Sequence, residues 1–317
     1  MRSLAPIVFF AYNRPAHTSK TLEALSKAEL AGESSLWIFI DGPKNNTTKE
    51  NLEAIEEVKK IAHKKKWCGQ VFIIESTINK GLFQSIVSGI TEIVNKFGKI
   101  IVLEDDVVVS PGFLNYMNDA LDFYEHTEKV MHISGFSRPS LSPVDINEPT
   151  YFFYHTSCWG WATWKRAWDK FVPDPLGVKK ALAKKGKLKE LNMDGTYEFF
   201  WGLKAIADGK FQSWNTIWHS VVFLNDGLSL HPTRSMVSNI GHDGSGTNCE
   251  TDNHLAINNY LADKVTITQI PLRVHPGARI FYKKMHSFKF RLLFATKHYL
   301  RYIYNNKPKN VSRCITL

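Results

Sequence analysis

The run Leu103-Glu104-Asp105-Asp106 closes an apolar stretch, Lys99-Ile100-Ile101-Val102, and opens onto Val107-Val108-Val109-Ser110-Pro111-Gly112-Phe113. An apolar run of this length reads as a strand buried on both faces. Three consecutive acids at its carboxyl end cannot belong to the core. One unpaired buried carboxylate is already costly, and three together call for a cation. Hard oxygen donors select Mg²⁺ or Mn²⁺, ions that are usually shared with substrate phosphates. In open α/β sheets, ligands bind beyond the carboxyl ends of strands. The chemistry expected here is a divalent ion carrying an anionic ligand.

The elements that must position these acids come before them. Pro6–Ala11 reads as a first strand, followed by a helix with Pro15 near its start and Leu22, Leu25 and Leu30 on one side. Leu36–Ile40 reads as a second strand, ending at Asp41-Gly42-Pro43, and Val71–Ile74 as a third. Helices with apolar residues at threes and fours, Leu52 to Ile61 and Phe83 to Phe97, follow the second and third strands. This alternation predicts an α/β fold with a mainly parallel sheet and helices on both faces. Its strand ends share one rim, which collects Asn13-Arg14, Asp41, Asn79-Lys80-Gly81 and the three acids. Arg14 supplies a cation suited to phosphate or a plane for stacking. Asp41 could accept the imide N–H of a uracil, and Asn79 to Gly81 make a turn whose backbone can approach a ligand closely. The G-x-G-x-x-G and Walker A patterns are missing after the first strand, which disfavours dinucleotide and P-loop chemistry.

After Asp106 the pattern changes. A helix is predicted over 111–126 and a strand over 130–134. Residues 135–165 read as loops or short antiparallel strands, and a helix is expected near Trp161–Lys170. Trp159, Trp161, Trp164 and Trp168 suit a core better than a stacking platform. Residues 174–192 and 194–210 read as helical, and 211–248 as short strands ending in the Gly-rich loop Gly241–Asn248.

Tyr12-Asn13-Arg14-Pro15, Asp41, and Leu103-Glu104-Asp105-Asp106 leading to Ser110-Pro111-Gly112-Phe113-Leu114-Asn115-Tyr116 together resemble the GT-A nucleotide-sugar glycosyltransferases. The resemblance is to their N-acetylglucosaminyltransferase I-like branch and to bacterial sugar transferases with a Glu-Asp-Asp motif. It spans about residues 5–250 and includes Cys158-Trp159-Gly160-Trp161 and Arg234-Ser235-Met236. It implies a GT-A fold, a nucleotide-sugar donor (a UDP-sugar above all), a glycan or lipid-linked acceptor, and Mn²⁺ or Mg²⁺ as cofactor. It implies that Asp106 ligates the metal and that Asp105 holds the ribose or a metal-bound water. Glu104 would contact the donor sugar, Asp41 read the base, and Arg14 lie by the nucleotide. The loop 241–248, with His242 and Ser245, would order over the diphosphate. Asn79 and Gly81 complete the nucleotide side. The related enzymes invert, with an acid on a helix before a short strand; Glu198 is the matching candidate and Asp194 the second. The family's acid is Asp, so Glu198 departs from the pattern.

Bulk properties bound the rest. The chain has 317 residues, 44% of them hydrophobic, and no apolar stretch long enough to predict a transmembrane helix. Its four cysteines are far apart and lack a CxxC pair, so a reducing, cytoplasmic home is expected rather than a zinc site or disulfide scaffold. The net charge of +10 is concentrated at the end: from Lys264 onward there are Lys and Arg but no Asp or Glu. Aromatic and aliphatic residues interleave with these bases over 281–304. A catalytic domain over 1–263 and a basic amphipathic extension over 264–317 are therefore expected. The extension would dock on an anionic membrane surface at the inner face. Two rival readings are a sugar-phosphate nucleotidyltransferase and a nucleic-acid-binding protein acting through the tail. The first needs a Gly-rich phosphate loop after the first strand, and the second leaves the acids unexplained, so no nucleic acid is expected.

Overall fold

The computed structural model describes residues 3–138, 146–192, 199–210, 212–243 and 261–285. The first hundred residues form β1 (Ile7–Ala11), α1 (Pro15–Ser26), β2 (Ser35–Ile40), α2 (Lys49–His63), β3 (Gln70–Glu75), α3 (Leu82–Phe97) and β4 (Lys99–Glu104). Their strands pair in parallel in the order β3-β2-β1-β4. Local chemistry sets the helix ends. Pro15 opens α1, where its missing N–H has no partner to lose. The Thr48 side chain accepts from the Asn51 N–H at the start of α2. Gly98, at φ 80°, stops α3 in the left-handed conformation that other residues avoid.

The two faces of β1 separate two core layers. Ile7, Phe9 and Ala11 pack with Leu22, Leu25 and Val58 of α1 and α2. Val8 and Phe10 pack with Ile86, Ile90 and Ile93 of α3. Strands covered on both sides must be apolar throughout, which is why they read as unbroken runs.

The second half adds β5 (Val107–Val109), α4 (Phe113–Phe123), β6 (Val130–Ser134), β7 (Thr150–Phe153), β8 (Trp161–Trp164) and α5 (Lys165–Trp168). Then come α6 (Pro175–Lys184), α7 (Leu188–Leu191), α8 (Phe199–Ala207), α9 (Trp214–Leu224), β9 (Leu228–Pro232), β10 (Val237–Asn239) and α10 (Pro276–Met285). The sheet continues from β4 as β8-β6-β9-β7, giving eight strands, with β8 and β7 opposed to the other six. The fold is thus the expected mixed, mainly parallel α/β sheet with helices on both faces.

Two segments differ from the sequence expectation. Trp161–Trp164 is a strand rather than the start of a helix, and only Lys165–Trp168 is helical. The strand wins because it is paired on both edges, with β4 and β6, and its side chains alternate between the two core layers. Trp161, Trp164 and Trp168 are all buried core residues. Residues 214–224 are helical where short strands were expected; Ser213 caps α9 by accepting from the Thr216 N–H. The start of the expected extension also packs on the sheet. Val265 joins one core layer, Ala278 and Tyr282 the other, and the His275 N–H donates to the Phe152 carbonyl on β7.

Arg166 ties this half together. Its Nε donates to the Glu125 carbonyl (2.8 Å), Nη1 to Val130 (3.0 Å) and Nη2 to Tyr124 (2.9 Å), while the guanidinium lies 4.3 Å from the Trp164 ring centre. It satisfies carbonyls at the end of α4 and the start of β6, for which three fork-arranged donors are required. Replacing Arg166 by Ala is expected to lower unfolding free energy by about 3 kcal/mol in urea titrations, and Lys to restore only part of it.

Candidate functional site

The acidic turn leaves β4 at Glu104 and is fastened from two directions. The Thr21 hydroxyl of α1 donates to the Asp105 carbonyl (2.8 Å), and the Ile240 N–H donates to the Asp106 carbonyl (2.8 Å). Beyond the turn, β5 pairs antiparallel with β10, with Val107 opposite Asn239. This small ribbon brings 237–241 against the acids. The Asn239 side-chain amide donates to Asp106 Oδ1 (3.3 Å), and its Oδ1 accepts from the Gly241 N–H (2.7 Å). Gly241 lies so close that a Cβ would overlap the Asp106 carboxylate and crowd the Arg14 guanidinium.

Among the described residues, Arg14 is the cation that pairs with the cluster. Arg14 Nη1 reaches Asp106 Oδ2 at 2.9 Å and Asp105 Oδ1 at 3.3 Å. Asp105 and Asp106 are each only 9% exposed. Three carboxylates against one guanidinium leave surplus negative charge. Burial, and then Asp106 and Asp105, push the Glu104 carboxyl well above the usual range. Burial, and then Asp106, push Asp105 up to about 7 against the pull of Arg14. Burial works against the charge on Arg14, and Asp105 and Asp106 outweigh it.

This donor set suits a hard divalent cation. It offers carboxylate oxygens, a charge deficit and a nearby nitrogen. Both ring nitrogens of His242 are shielded from solvent and have no hydrogen-bond partner among the described residues. The ring stands edge-on to Trp159, centres 5.3 Å apart. The neighbouring Asp243 pairs with His17 (3.1 Å). Among the described residues no three His, Cys, Asp or Glu side chains converge as a complete ligand set. An ion here would fill its coordination sphere with ligand oxygens, as Mg²⁺ does when one or two carboxylates share it with phosphates.

Asp41 has a different employment from the one expected. Its carboxylate accepts from the N–H groups of Gly42 (3.0 Å), Lys80 (2.8 Å) and Gly81 (2.9 Å) and from the Asn79 amide (3.0 Å). A carboxylate has about four lone-pair positions, and the chain itself fills them. Asp41 therefore positions the turn before α3 instead of presenting a free acceptor to a base. Asn79 spends both amide hydrogens on Asp41 and the Gly42 carbonyl (2.8 Å). Gly81, at φ 76°, makes the entry to α3. Gly42 packs so tightly on the Ile78 backbone that a Cβ would lie 2.6 Å from it.

The structure thus brings Arg14, Glu104, Asp105 and Asp106 together, with His242 on the same side chain-rich corner, and places Asp41, Asn79 and Gly81 in a separate knot along the rim. Asp194, Glu198 and Ser245 lie outside the described residues. Thr21, Asn239 and Gly241 belong to the site but carried no sequence signal of their own, apart from the place of Gly241 at the head of a Gly-rich loop.

No family model matches the chain, and no curated protein matches it. Solved structures do align. A mannosyltransferase from Pyrobaculum calidifontis in complex with GDP-Man and Mn²⁺ is 13% identical, covering 71% of this chain and 70% of that one, with a TM-score of 0.39. The galactosyltransferase LgtC with donor and acceptor sugar analogs is 10% identical, covering 71% and 72%, at 0.39. A UDP-glucose pyrophosphorylase complexed with UDP-glucose is 12% identical, covering 53% and 79%, at 0.34. Superpositions this loose leave the chemistry of this chain to its own residues.

Two substitutions probe the geometry. Gly241→Ala is expected to displace the Asp106 carboxylate and lower unfolding free energy by about 1–3 kcal/mol in urea titrations. Asp41→Asn strands backbone donors at the start of α3. It should lower unfolding free energy by about 2 kcal/mol in urea titrations.

Proposed function

We propose that this chain is a metal-dependent glycosyltransferase that moves a sugar from a nucleotide-sugar donor to a hydroxyl of a glycan or lipid-linked acceptor. The observation that carries this reading is the buried, under-neutralised acidic turn at the carboxyl end of the central strand β4. A site that concentrates negative charge there favours a divalent ion and, on its far side, a diphosphate.

In this reading Asp106 and Asp105 would hold Mn²⁺ or Mg²⁺, which would supply positive charge against the departing nucleoside diphosphate. Arg14 orients both carboxylates and adds its own field at the same corner. The His242 imidazole contacts the diphosphate, and Glu104 faces the donor sugar. Ser245, four residues beyond Gly241, joins the loop that covers the donor. A second carboxylate takes the proton from the acceptor hydroxyl as the anomeric carbon becomes cationic. Glu198, immediately before α8, is proposed for this role with an inverting outcome, and Asp194 is the second candidate. The donor in this reading is a UDP-sugar, with its base read by groups other than the filled Asp41 carboxylate. The basic segment from Lys264 onward would hold the enzyme at the inner, anionic face of a membrane where lipid-linked acceptors reside. Among the described residues no helix is long and apolar enough to cross a membrane.

The rival reading, nucleotidyl transfer to a sugar phosphate, needs a phosphate-cradling loop after β1. Only Tyr12, Asn13 and Arg14 separate β1 from α1, and none is glycine.

A thermal-shift screen of nucleotide sugars tests the proposal. At a ligand concentration near 100 times Kd the matching donor should stabilise the chain by about 2.7 kcal/mol, with Mn²⁺ present and not without it. Asp106→Ala should remove that shift and cut turnover about a hundredfold or more while the chain stays folded. A metal-independent shift, or an Asp106→Ala variant of normal activity, overturns the metal site. Release of pyrophosphate instead of a nucleoside diphosphate establishes the rival. Glu198→Gln should bind donor normally and lose transfer; a fully active variant passes the base role to Asp194.

A further inference from the structure

Along the rim that carries the acids, the sheet order β1-β4-β8-β6 sets four groups in a row. Arg14 follows β1, the acids end β4, Trp159 stands two residues before β8, and Phe136 two residues after β6. β8 runs against β4 and β6, so its start lies beside their ends. The proposed diphosphate uses the Arg14 side of the acids. The aromatic pair on the other side has no part in that chemistry.

Trp159 departs from the core role expected for it. Trp161, Trp164 and Trp168 are at most 3% exposed, whereas Trp159 and Phe136 are only partly buried. Gly160 explains the difference. At φ 58° it breaks the alternation of β8, and a Cβ there would lie 2.9 Å from Val237 Cγ1. Trp161 therefore enters one core layer while Trp159 turns to the edge of the other. Its indole Nε1 donates to no described residue and meets solvent, whereas Nε1 of Trp161 is shut in.

The ring centres of Trp159 and Phe136 are 4.4 Å apart at 70°, and His242 stands on another side of the indole at 5.3 Å. His242 follows Gly241, which packs on the Asp106 carboxylate, so the indole borders the acidic corner. Hydrogen bonds fix this frame before any ligand arrives. The Phe136 N–H donates to Ser134 Oγ (3.1 Å), and the Ser134 hydroxyl donates to the Phe136 carbonyl (3.0 Å). The Gly135 N–H donates to the Gly160 carbonyl (2.7 Å), and the Trp159 N–H to Ser157 Oγ (3.3 Å). An accessible ring with an uncommitted N–H, held rigid beside charged groups, suits a ligand with an apolar face and hydroxyls at its edge.

We infer that Trp159 is the acceptor platform and that the reacting hydroxyl is carried by a pyranose. The C–H face of the sugar ring stacks on the indole, Nε1 donates to a ring hydroxyl, and Phe136 bounds the far side. The held hydroxyl oxygen bonds to the anomeric carbon as that carbon's bond to the diphosphate oxygen breaks, and the hydroxyl proton passes to the carboxylate base. The inference rests on the sugar-transfer reading and narrows its acceptor to a sugar ring.

Chain labelled with 5-fluorotryptophan tests it by ¹⁹F NMR. Of the 9 tryptophans, the Trp159 signal is the one lost in Trp159→Phe. The probes are the methyl pyranosides of glucose, galactose, mannose and N-acetylglucosamine, with glycerol as control. At least one pyranoside is expected to shift the Trp159 signal saturably, and glycerol to leave it in place. With the matching donor, the same pyranoside should speed release of nucleoside diphosphate. Trp159→Ala should raise its KM about tenfold or more, and Trp159→Phe, which keeps a stacking face and loses the N–H, only a few-fold. A signal that no pyranoside moves, or that glycerol moves equally, overturns the platform. So does a wild-type KM in both variants. A signal moved by UDP-sugar with Mn²⁺ and by no pyranoside overturns the acceptor assignment and gives the ring to the donor. A pyranoside shift with no turnover of any nucleotide sugar overturns the sugar-transfer reading instead and leaves a sugar-binding platform.

Discussion

The structure turns on an electrostatic imbalance. Glu104, Asp105 and Asp106 stand side by side at the end of β4 with Arg14 as their shared partner. Folding must hold these charges together against their repulsion, and the backbone does so. The Thr21 hydroxyl and the Ile240 N–H each fix a carbonyl of the turn, so that the carboxylates cannot swing apart into solvent. The sheet on either side supplies rigidity through two apolar layers, and the cost of crowding is carried by that packing. An arrangement of this kind is poised for a positive charge before any ligand arrives.

Around that corner the chain uses the same groups in two ways. Asp106 is gripped by Arg14, Asn239 and Ile240, and it is also the oxygen donor proposed for a cation. Asp41, of the same residue type and also at a strand end, is consumed by the protein's own N–H groups. The difference is one of supply. The turn at 79–81 offers unpaired backbone donors at the start of α3, and a carboxylate is the strongest local acceptor for them. At the turn 104–106 the carbonyls of Asp105 and Asp106 are satisfied, and the Asp106 carboxylate is met by the side chains of Arg14 and Asn239 instead of a row of helix-start N–H groups.

Much of this was legible in the sequence where the signal was local. β1 and β4 could be read because strands buried on both faces are apolar runs, and the helices between the strands repeat at threes and fours. The acids and Arg14 were legible because charge at the end of such a run has no structural excuse. β8 was not. Trp161-Ala162-Thr163-Trp164 suits helix or strand, and its pairing with β4 and β6 is decided by residues 27 to 65 positions earlier. α9 was missed because Trp214 to Leu224 is buried on nearly every side and so lacks a polar face to set the period. The role of Asp41 was unreadable for a related reason: its partners at Asn79, Lys80 and Gly81 are distant along the chain and contribute mainly backbone, which every residue has.

The ribbon of β5 and β10 carries a consequence for how the molecule is made. The stretch from β1 to β4 is a four-stranded unit with its helices, and it precedes β10 by more than 130 residues. The acidic corner nonetheless waits for Asn239, Ile240 and Gly241, more than 130 residues downstream, before its geometry closes. A nascent chain halted midway would own every carboxylate and the arginine while lacking the brace that sets them. The geometry of the acidic corner is thereby tied to a contact between segments that lie far apart along the chain.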